Sequence, residues 1–399
     1  MILGVTIPPW SRVAAGMFVV GWGANQFTPL LLVYRATDHF SQTLVTAMFA
    51  AYALGLIPAL LVSAELGSRF GHRAVLRPVM ILAGLSSLLL AVGESSPTLL
   101  FIGRVLYGVC TGAAMAPGTT WVKELSAGEP AGTGARRAAI ALSAGFGLGP
   151  LVAGLLAQWL PGPKVLPYIV HIALTIAAGL LVWNAPTTHV PRSERPAPSR
   201  EQAVRHHTLS GHFWGRVAPM APWVFTAASV SLVILPSLIR GQTASFSVAF
   251  AGILSGLTLG VGVLVQSPAR ALETRRPGLV SVLGMAAALV GVLLTAAVVT
   301  HRSMPIVLVA AVVLGAGYGL TLVGGLTRIE HSAPGTELAM TNAVFYSLTY
   351  LGFFVPTIVS MLSAHISETA VLLGLVALAA ASLIAATLSQ RAARVAAAD

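Results

Sequence analysis

The run AAIALSAGFGLGPLVAGLLAQWL, residues 138–160, is 23 residues long and built on glycine and alanine as much as on leucine. At about 1.5 Å of rise per residue such a helix reaches roughly 34 Å, a little more than the hydrocarbon thickness of a bilayer. Ala141, Gly145, Gly149 and Ala153 recur every four residues and form one ridge of small side chains, and Gly147 and Gly154, seven apart, line a second. In lipid, where burying apolar surface drives little association, such ridges let a neighbouring helix backbone approach closely. Pro150 removes a backbone donor and bends the helix beside the ridge.

Composition extends this reading to the whole chain. Of the 399 residues 56% are hydrophobic and 9% charged, against roughly 25% charged in soluble domains, and the mean hydropathy is +0.85. This is the composition of an integral membrane protein. The net charge of +11 is spread between apolar runs, so it does not make the continuous basic face that nucleic acid requires. Cys110 is the only cysteine and rules out an internal disulfide. The N-terminus lacks the order of a cleaved signal peptide, and the first apolar run is expected to be retained.

Apolar runs of spanning length fall at about 13–34, 43–64, 76–93, 98–120, 138–160 and 166–185, and again at 219–238, 246–268, 278–299, 304–327, 338–362 and 369–388. Twelve transmembrane helices are expected, six on each side of a Pro-, Arg- and His-rich stretch that reads as a solvated linker. The division is residues 1–185, linker 186–218, and residues 219–399. One set of loops and ends carries eighteen Lys and Arg and the other only Arg35, Lys164, Arg240 and Arg302. By the positive-inside rule both termini and the linker face the cytoplasm, with a bacterial cytoplasmic membrane as the expected location. An offset of 206 lays Pro150 on Pro356, so the halves read as copies, the arrangement of parallel-repeat transporters.

Three short signatures sharpen this. Gly145-x-x-x-Gly149-Pro150-x-x-Ala153-Gly154 resembles the fifth-helix signature of antiporters in the major facilitator superfamily, with Ala153 where glycine is usual. Arg104-x-x-Tyr107-Gly108-x-x-x-Gly112 resembles the fourth-helix signature of the efflux members, with Tyr107 in a place often held by glutamine. Ala64-Glu-Leu-Gly-Ser-Arg69-Phe-Gly71-His-Arg73 resembles the superfamily's cytoplasmic loop between helices two and three. There Arg69, Gly71 and Arg73 match, while Ser68 stands for the aspartate that joins the two halves, and Glu65, three residues earlier on the same helical face, is a candidate to supply the missing charge. The resemblance implies two pseudo-symmetric six-helix bundles rocking about a midplane site, in the twelve-helix drug-efflux branch.

Arg104 is the one charge well inside an expected span. Its insertion costs about 2.5–3.5 kcal/mol, so it needs a protein or aqueous partner, unless it snorkels to the interface. The resemblance implies a part in proton coupling. Trp22, Asn25 and Gln26 in the first span and Tyr107 in the fourth would line the cavity together with Trp223, Thr226 and Tyr318, if spans one, four, seven and ten form its walls as the resemblance implies. Such apolar and aromatic walls suit hydrophobic or amphipathic solutes better than sugars. No aspartate or glutamate lies deep in a span. Asp38, Glu65 and His171 are the nearest titratable groups, and a lone histidine near a span end, as His171 is, is more often a structural hydrogen-bonder than a proton carrier. Proton-coupled efflux of a small apolar solute is the leading expectation, with an uncoupled facilitator or uptake symporter as the alternative and a polytopic enzyme or receptor as the rival from another class. No cofactor and no nucleic-acid partner is expected, and a monomer in the bilayer is. His206, His207 and His212 carry too few companions for a metal site.

Overall fold

The computed structural model describes residues 7–130, 132–187, 211–332 and 338–396. Among the described residues there is no strand, and twelve helices are long and apolar enough to cross a membrane. They are α1 Pro9–Thr37, α2 Gln42–Phe70, α3 His72–Val92, α4 Pro97–Glu124, α5 Thr133–Trp159, α6 Leu166–Trp183, α7 Ala221–Leu238, α8 Ser247–Arg275, α9 Leu279–His301, α10 Met304–His331, α11 Met340–Leu362 and α12 Glu368–Leu388. Several run past the apolar stretch that marks them, because helical backbone bonding continues beyond the hydrocarbon edge; α2 thus includes Glu65, Ser68 and Arg69.

Side-chain placement is the reverse of a water-soluble protein. Ile81, Leu85 and Leu88 on α3, Ile169, Ile176 and Leu180 on α6, and Leu378, Ile384 and Leu388 on α12 are exposed, whereas Gln26, Arg104, Ser87, His171 and Thr258 are buried. With lipid tails outside, polar groups must find partners within the protein.

Serines start two of the helices. Ser41 Oγ accepts from Leu44 N at the head of α2 and Ser96 Oγ from Leu99 N at the head of α4, where Pro97 occupies the first turn without needing a donor. Four helices are interrupted in mid-course, α8 among them at Val265. α1 breaks at Gln26, three residues before Pro29, which cannot donate to the Asn25 carbonyl. α7 widens to a π-turn over Val230–Ile234, and α11 tightens to a 3₁₀ turn over Leu351–Phe354, just before Pro356.

Within the first six helices α2 packs on α4, α1 on α5 and α6, and α3 on α4 and α6; among the last six α9 packs on α10 and α12, and α8 and α7 on α10. The two groups meet along α5–α8 and α2–α11. The glycine ridge of α5 serves both sides. A Cβ on Gly145 or Gly149 would fall on the α1 backbone at Phe18 and Trp22, and one on Gly154 would fall on Gly252 and Val248 of α8. Gly147, expected to share a second ridge with Gly154, instead faces open space.

Residues 188–210, most of the expected linker with His206 and His207, lie outside the described residues. The linker's last part is not a plain solvated strand of chain: Gly211–Arg216 is helical, and Phe213 and Val217 are buried.

Candidate functional site

The seam between the two groups of helices is tied by side-chain hydrogen bonds at one end and holds a cavity between α5 and α8 at the other. At the end away from the arginine-rich loops, Gln158 at the close of α5 caps the start of α8. Its Oε1 accepts from Val248 N at 3.0 Å and Ala249 N at 3.3 Å, and its Nε2 donates to Ser245 O at 3.1 Å. Thr43 of α2 and Ser360 of α11 share a hydroxyl hydrogen bond of 2.9 Å. At the arginine-rich end α5 and α8 diverge around a cavity of about 690 Å³, lined among others by Thr133, Arg136, Ala139, Gln266, Ser267 and Arg270.

A cluster of aromatic rings floors the closed part of the seam. Phe225 of α7 stacks on Tyr350 of α11 with centroids 4.4 Å apart and on Tyr318 of α10 at 5.6 Å. Phe49 of α2 stacks on Phe353 at 4.9 Å, and Tyr52 lies 5.6 Å from Phe353 and 6.4 Å from Tyr350. Tyr350 Oη reaches Met115 Sδ at 3.8 Å. Ring faces and a polarizable thioether bind apolar solutes with little directional demand.

Arg104 lies one layer behind this floor. It is wholly buried, and its guanidinium donates to three carbonyls: Nη1 to Ala24 O at 2.9 Å, Nη2 to Phe49 O at 3.3 Å and Nε to Met48 O at 3.4 Å. The rings of Phe27 and Tyr52 each lie 4.8 Å from it. Its partners are thus carbonyl dipoles and π faces, with no carboxylate among them, and it neither snorkels nor faces the open cavity. Ala24 precedes the break in α1, so the fixed charge pins that break to α2.

The other expected cavity residues separate into groups. Gln26 and Tyr107 turn into the interior of the first six helices, where Gln26 Nε2 donates to Ser87 Oγ at 3.4 Å and Tyr107 Oη to Val20 O at 3.2 Å. Asn25 Nδ2 donates to Phe146 O on α5 at 3.4 Å, and Trp22 packs edge-on to Phe18. Trp223 points the other way, its Nε1 donating to Ser382 of α12 at 2.9 Å. Thr226 is tied to Pro222 O of its own helix, leaving Tyr318 as the expected residue that joins the aromatic floor.

Asp38, expected as a coupling or buried charge, sits in the α1–α2 loop. Its carboxylate accepts from Lys164 Nζ at 2.9 Å and from Ser95 Oγ at 2.9 Å, joining the loops after α1, α3 and α5. Burial raises the carboxyl pKa, but hydrogen bonds from Lys164, Ser95 and Thr37 outweigh it and hold it below the ordinary value.

The α2–α3 loop turns at Gly71, whose φ of 88° suits glycine alone. Ser68 Oγ donates to Glu65 O, while the Glu65 side chain is exposed. Arg69 lies over Phe70. Arg73 Nη2 donates to the carbonyl of Trp183, the last residue of α6, at 3.1 Å and to that of Ala185 just beyond it at 3.0 Å. Arg73 thus anchors the loop to the end of α6.

Gln158 and, apart from Tyr318, the residues of the aromatic floor are not distinguished by the sequence: Gln158 is a lone amide at the end of an apolar run, and Phe49 and Tyr52 are aromatics inside one.

A family model described as Major Facilitator Superfamily matches residues 13–357. The chain is 32% identical over 157 residues to a triacylglyceride transporter of Mycobacteroides abscessus; the match takes in 38% of this chain and spans 29% of that relative. In fold it is similar to the peptide transporter POT (TM-score 0.75, 14% identity, 96% of this chain and 94% of the other). It is similar also to the nucleoside transporter NupG (TM-score 0.68, 15% identity, 96% and 98%) and to a D-xylose-proton symporter (TM-score 0.67, 15% identity, 95% of both).

Proposed function

The chain belongs to the Major Facilitator Superfamily, and from that membership we propose that it exports a small, largely apolar organic compound in exchange for protons. It is a multi-pass membrane transporter and its family and structural neighbours are transporters rather than enzymes. The proposed cycle rocks residues 1–185 against residues 219–399, joined by the linker 186–218, with both termini on the cytoplasmic side of the cell membrane and a single chain as the working unit. In that frame the cavity between α5 and α8 is an inward-facing entrance, and Gln158 with Thr43 is the outer latch.

The observation that carries the substrate class is the aromatic floor. Six rings and a methionine surround the point where the seam closes, and a site of this kind recognises shape and apolar surface better than hydroxyls. Similarity to part of a triacylglyceride transporter favours cargo at the lipophilic end. Trp22 and Asn25, beside the α1 break, and Thr226 would come into contact with cargo as the halves move. Glu65, Ser68, Arg69, Gly71 and Arg73 would meet the other half when the inner end closes, and the contact of Gly154 with Gly252 would be a pivot.

An uncoupled facilitator is the second reading, favoured by one observation: among the described residues the buried polar groups inside the spans include no carboxylate within the first six helices. Proteoliposomes containing the protein and a panel of fluorescent lipophilic dyes and acylglycerol analogues separate the two. Under export by exchange, an imposed pH gradient accelerates dye efflux several-fold; flux unaffected by the gradient establishes the facilitator, and no flux of any apolar probe defeats the substrate class.

A further inference from the structure

The first six helices enclose a polar network that no part of the site described so far uses. His171 on α6 is completely buried. Its Nδ1 lies 2.8 Å from Ser87 Oγ on α3, and its Nε2 lies 3.0 Å from Tyr107 Oη on α4 and 3.1 Å from the Val19 carbonyl on α1. A carbonyl can only accept, so Nε2 carries a hydrogen. Nδ1 is then the acceptor and Ser87 donates to it, while Ser87 Oγ in turn accepts from Gln26 Nε2 at 3.4 Å. The order runs in one direction, from Gln26 through Ser87 and His171 to Val19, and it satisfies a neutral imidazole.

The network also has an orientation across the membrane. Tyr168, His171 and Thr175 are three and four residues apart and share one face of α6, with Lys164 one turn before them. Tyr168 Oη and Tyr34 Oη are 3.0 Å apart, and beyond them lies the Asp38–Lys164–Ser95 cluster at the loop end. Polar rungs about one turn apart therefore lead from the latched end of the molecule to His171. The ionisable groups around it are Tyr107 on α4, with Arg104 one turn away on the same helix, and the Tyr34–Tyr168 pair from α1 and α6. α3 presents only Ser87.

We propose that His171 is the proton-binding site of the transport cycle, read out at the α1 break through Ser87 and Gln26. This rests on the proton-exchange reading above. One proton from water at the latched end adds to the Nδ1 lone pair, giving an imidazolium with donors on both nitrogens, and the same proton leaves in the opposite state. With Nδ1–H donating to Ser87 Oγ, Ser87 must place its own hydrogen elsewhere. Gln26 Oε1, buried and without a hydrogen-bond partner, is the acceptor at hand once its amide turns over. Gln26 is the residue at which α1 breaks, and Arg104 holds that break through Ala24. A positive charge on His171 also repels the fixed charge of Arg104 in a medium that screens poorly. Protonation therefore strains the α1 break at Gln26.

The test uses the full chain in lipid nanodiscs, with spin labels on Ala139→Cys and Ser267→Cys across the open cavity in a Cys110→Ala background. The probe is the proton itself. Between about pH 8 and about pH 5, a range in which histidine can change charge, the label separation should shift in the parent protein and stay fixed in His171→Gln. In Ser87→Ala the imidazole, followed by ¹⁵N-histidine NMR, should still titrate while the separation no longer follows. A His171→Gln protein whose cavity responds to pH like the parent overturns the assignment, and so does a Ser87→Ala protein with the parent's response, should His171→Gln not insert. A parent that shows no pH-dependent separation, yet exchanges dye for protons in proteoliposomes, also overturns it and leaves the exchange reading standing; a parent that does neither removes both.

Discussion

The side chain of Gln158 holds the first turn of α8 through Val248, Oε1 to N, at 3.0 Å. One amide thus does across the seam what a capping residue does within a helix, satisfying N–H groups that the helix cannot. Its position opposite the open cavity makes it a component of the state observed rather than of the fold of either half.

Replacing it with leucine, which fills similar volume without polar atoms, should leave both halves folded and release the latch. Three hydrogen bonds worth about 0.5–1.5 kcal/mol each disappear, so the balance between open ends should move by at least about tenfold. Cysteine accessibility on either side of the seam in Gln158→Leu measures this; an unchanged pattern means the latch lies elsewhere.

Arg104→Ala should still insert into the membrane but lose most transport, since it removes three buried hydrogen bonds to carbonyls of α1 and α2 and the contacts with the Phe27 and Tyr52 rings. Arg104→Lys keeps the charge without the fork or the stacking surface and should recover only part of the flux. Transport near normal in the alanine variant, with insertion checked by membrane fractionation, would reduce the arginine to a dispensable anchor.

Substitutions along α5 should divide by face. Gly145→Val and Gly154→Val place side chains into backbone of α1 and α8, and should cost several kcal/mol or abolish expression. Gly147→Ala meets nothing and should be near neutral, within about 0.5 kcal/mol. Melting temperatures in detergent separate the two classes.

The Asp38–Lys164 pair sets an acid limit on the loops it ties. Because the folded carboxyl pKa lies below its unfolded value, its contribution is complete above the unfolded pKa of about 3.9 and is lost as pH falls through the folded value. Asp38→Asn should therefore be destabilised by about 1–3 kcal/mol at neutral pH. That difference should shrink towards zero in strong acid, where the parent carboxylate is protonated as well. A difference independent of pH would assign the role to packing.

Tyr350→Ala and Phe225→Ala should each alter which dyes are exported and weaken apparent affinity, while Trp223→Phe, on the α12 side, should do neither. Equal effects at all three positions would mean that the floor does not meet the cargo.

The number of crossings, the basic asymmetry of the loops and the helix meant for close packing were legible in the sequence because each depends on composition along a single helix: enough apolar residues to match a bilayer, small ones at a four-residue spacing, a proline to bend them. The family signatures at Arg104, Arg69 and Gly149 were legible for the same local reason. What Arg104 touches was not, since its partners are carbonyls of two other helices, and backbone carbonyls look alike in every sequence. Nor could the alternation of a helix reveal that Gln26 and Tyr107 turn inward, that Trp223 reaches α12, or that Gln158 caps a helix begun 89 residues later. Those assignments depend on the relative rotation and depth of separate helices, which only packing of the whole bundle fixes.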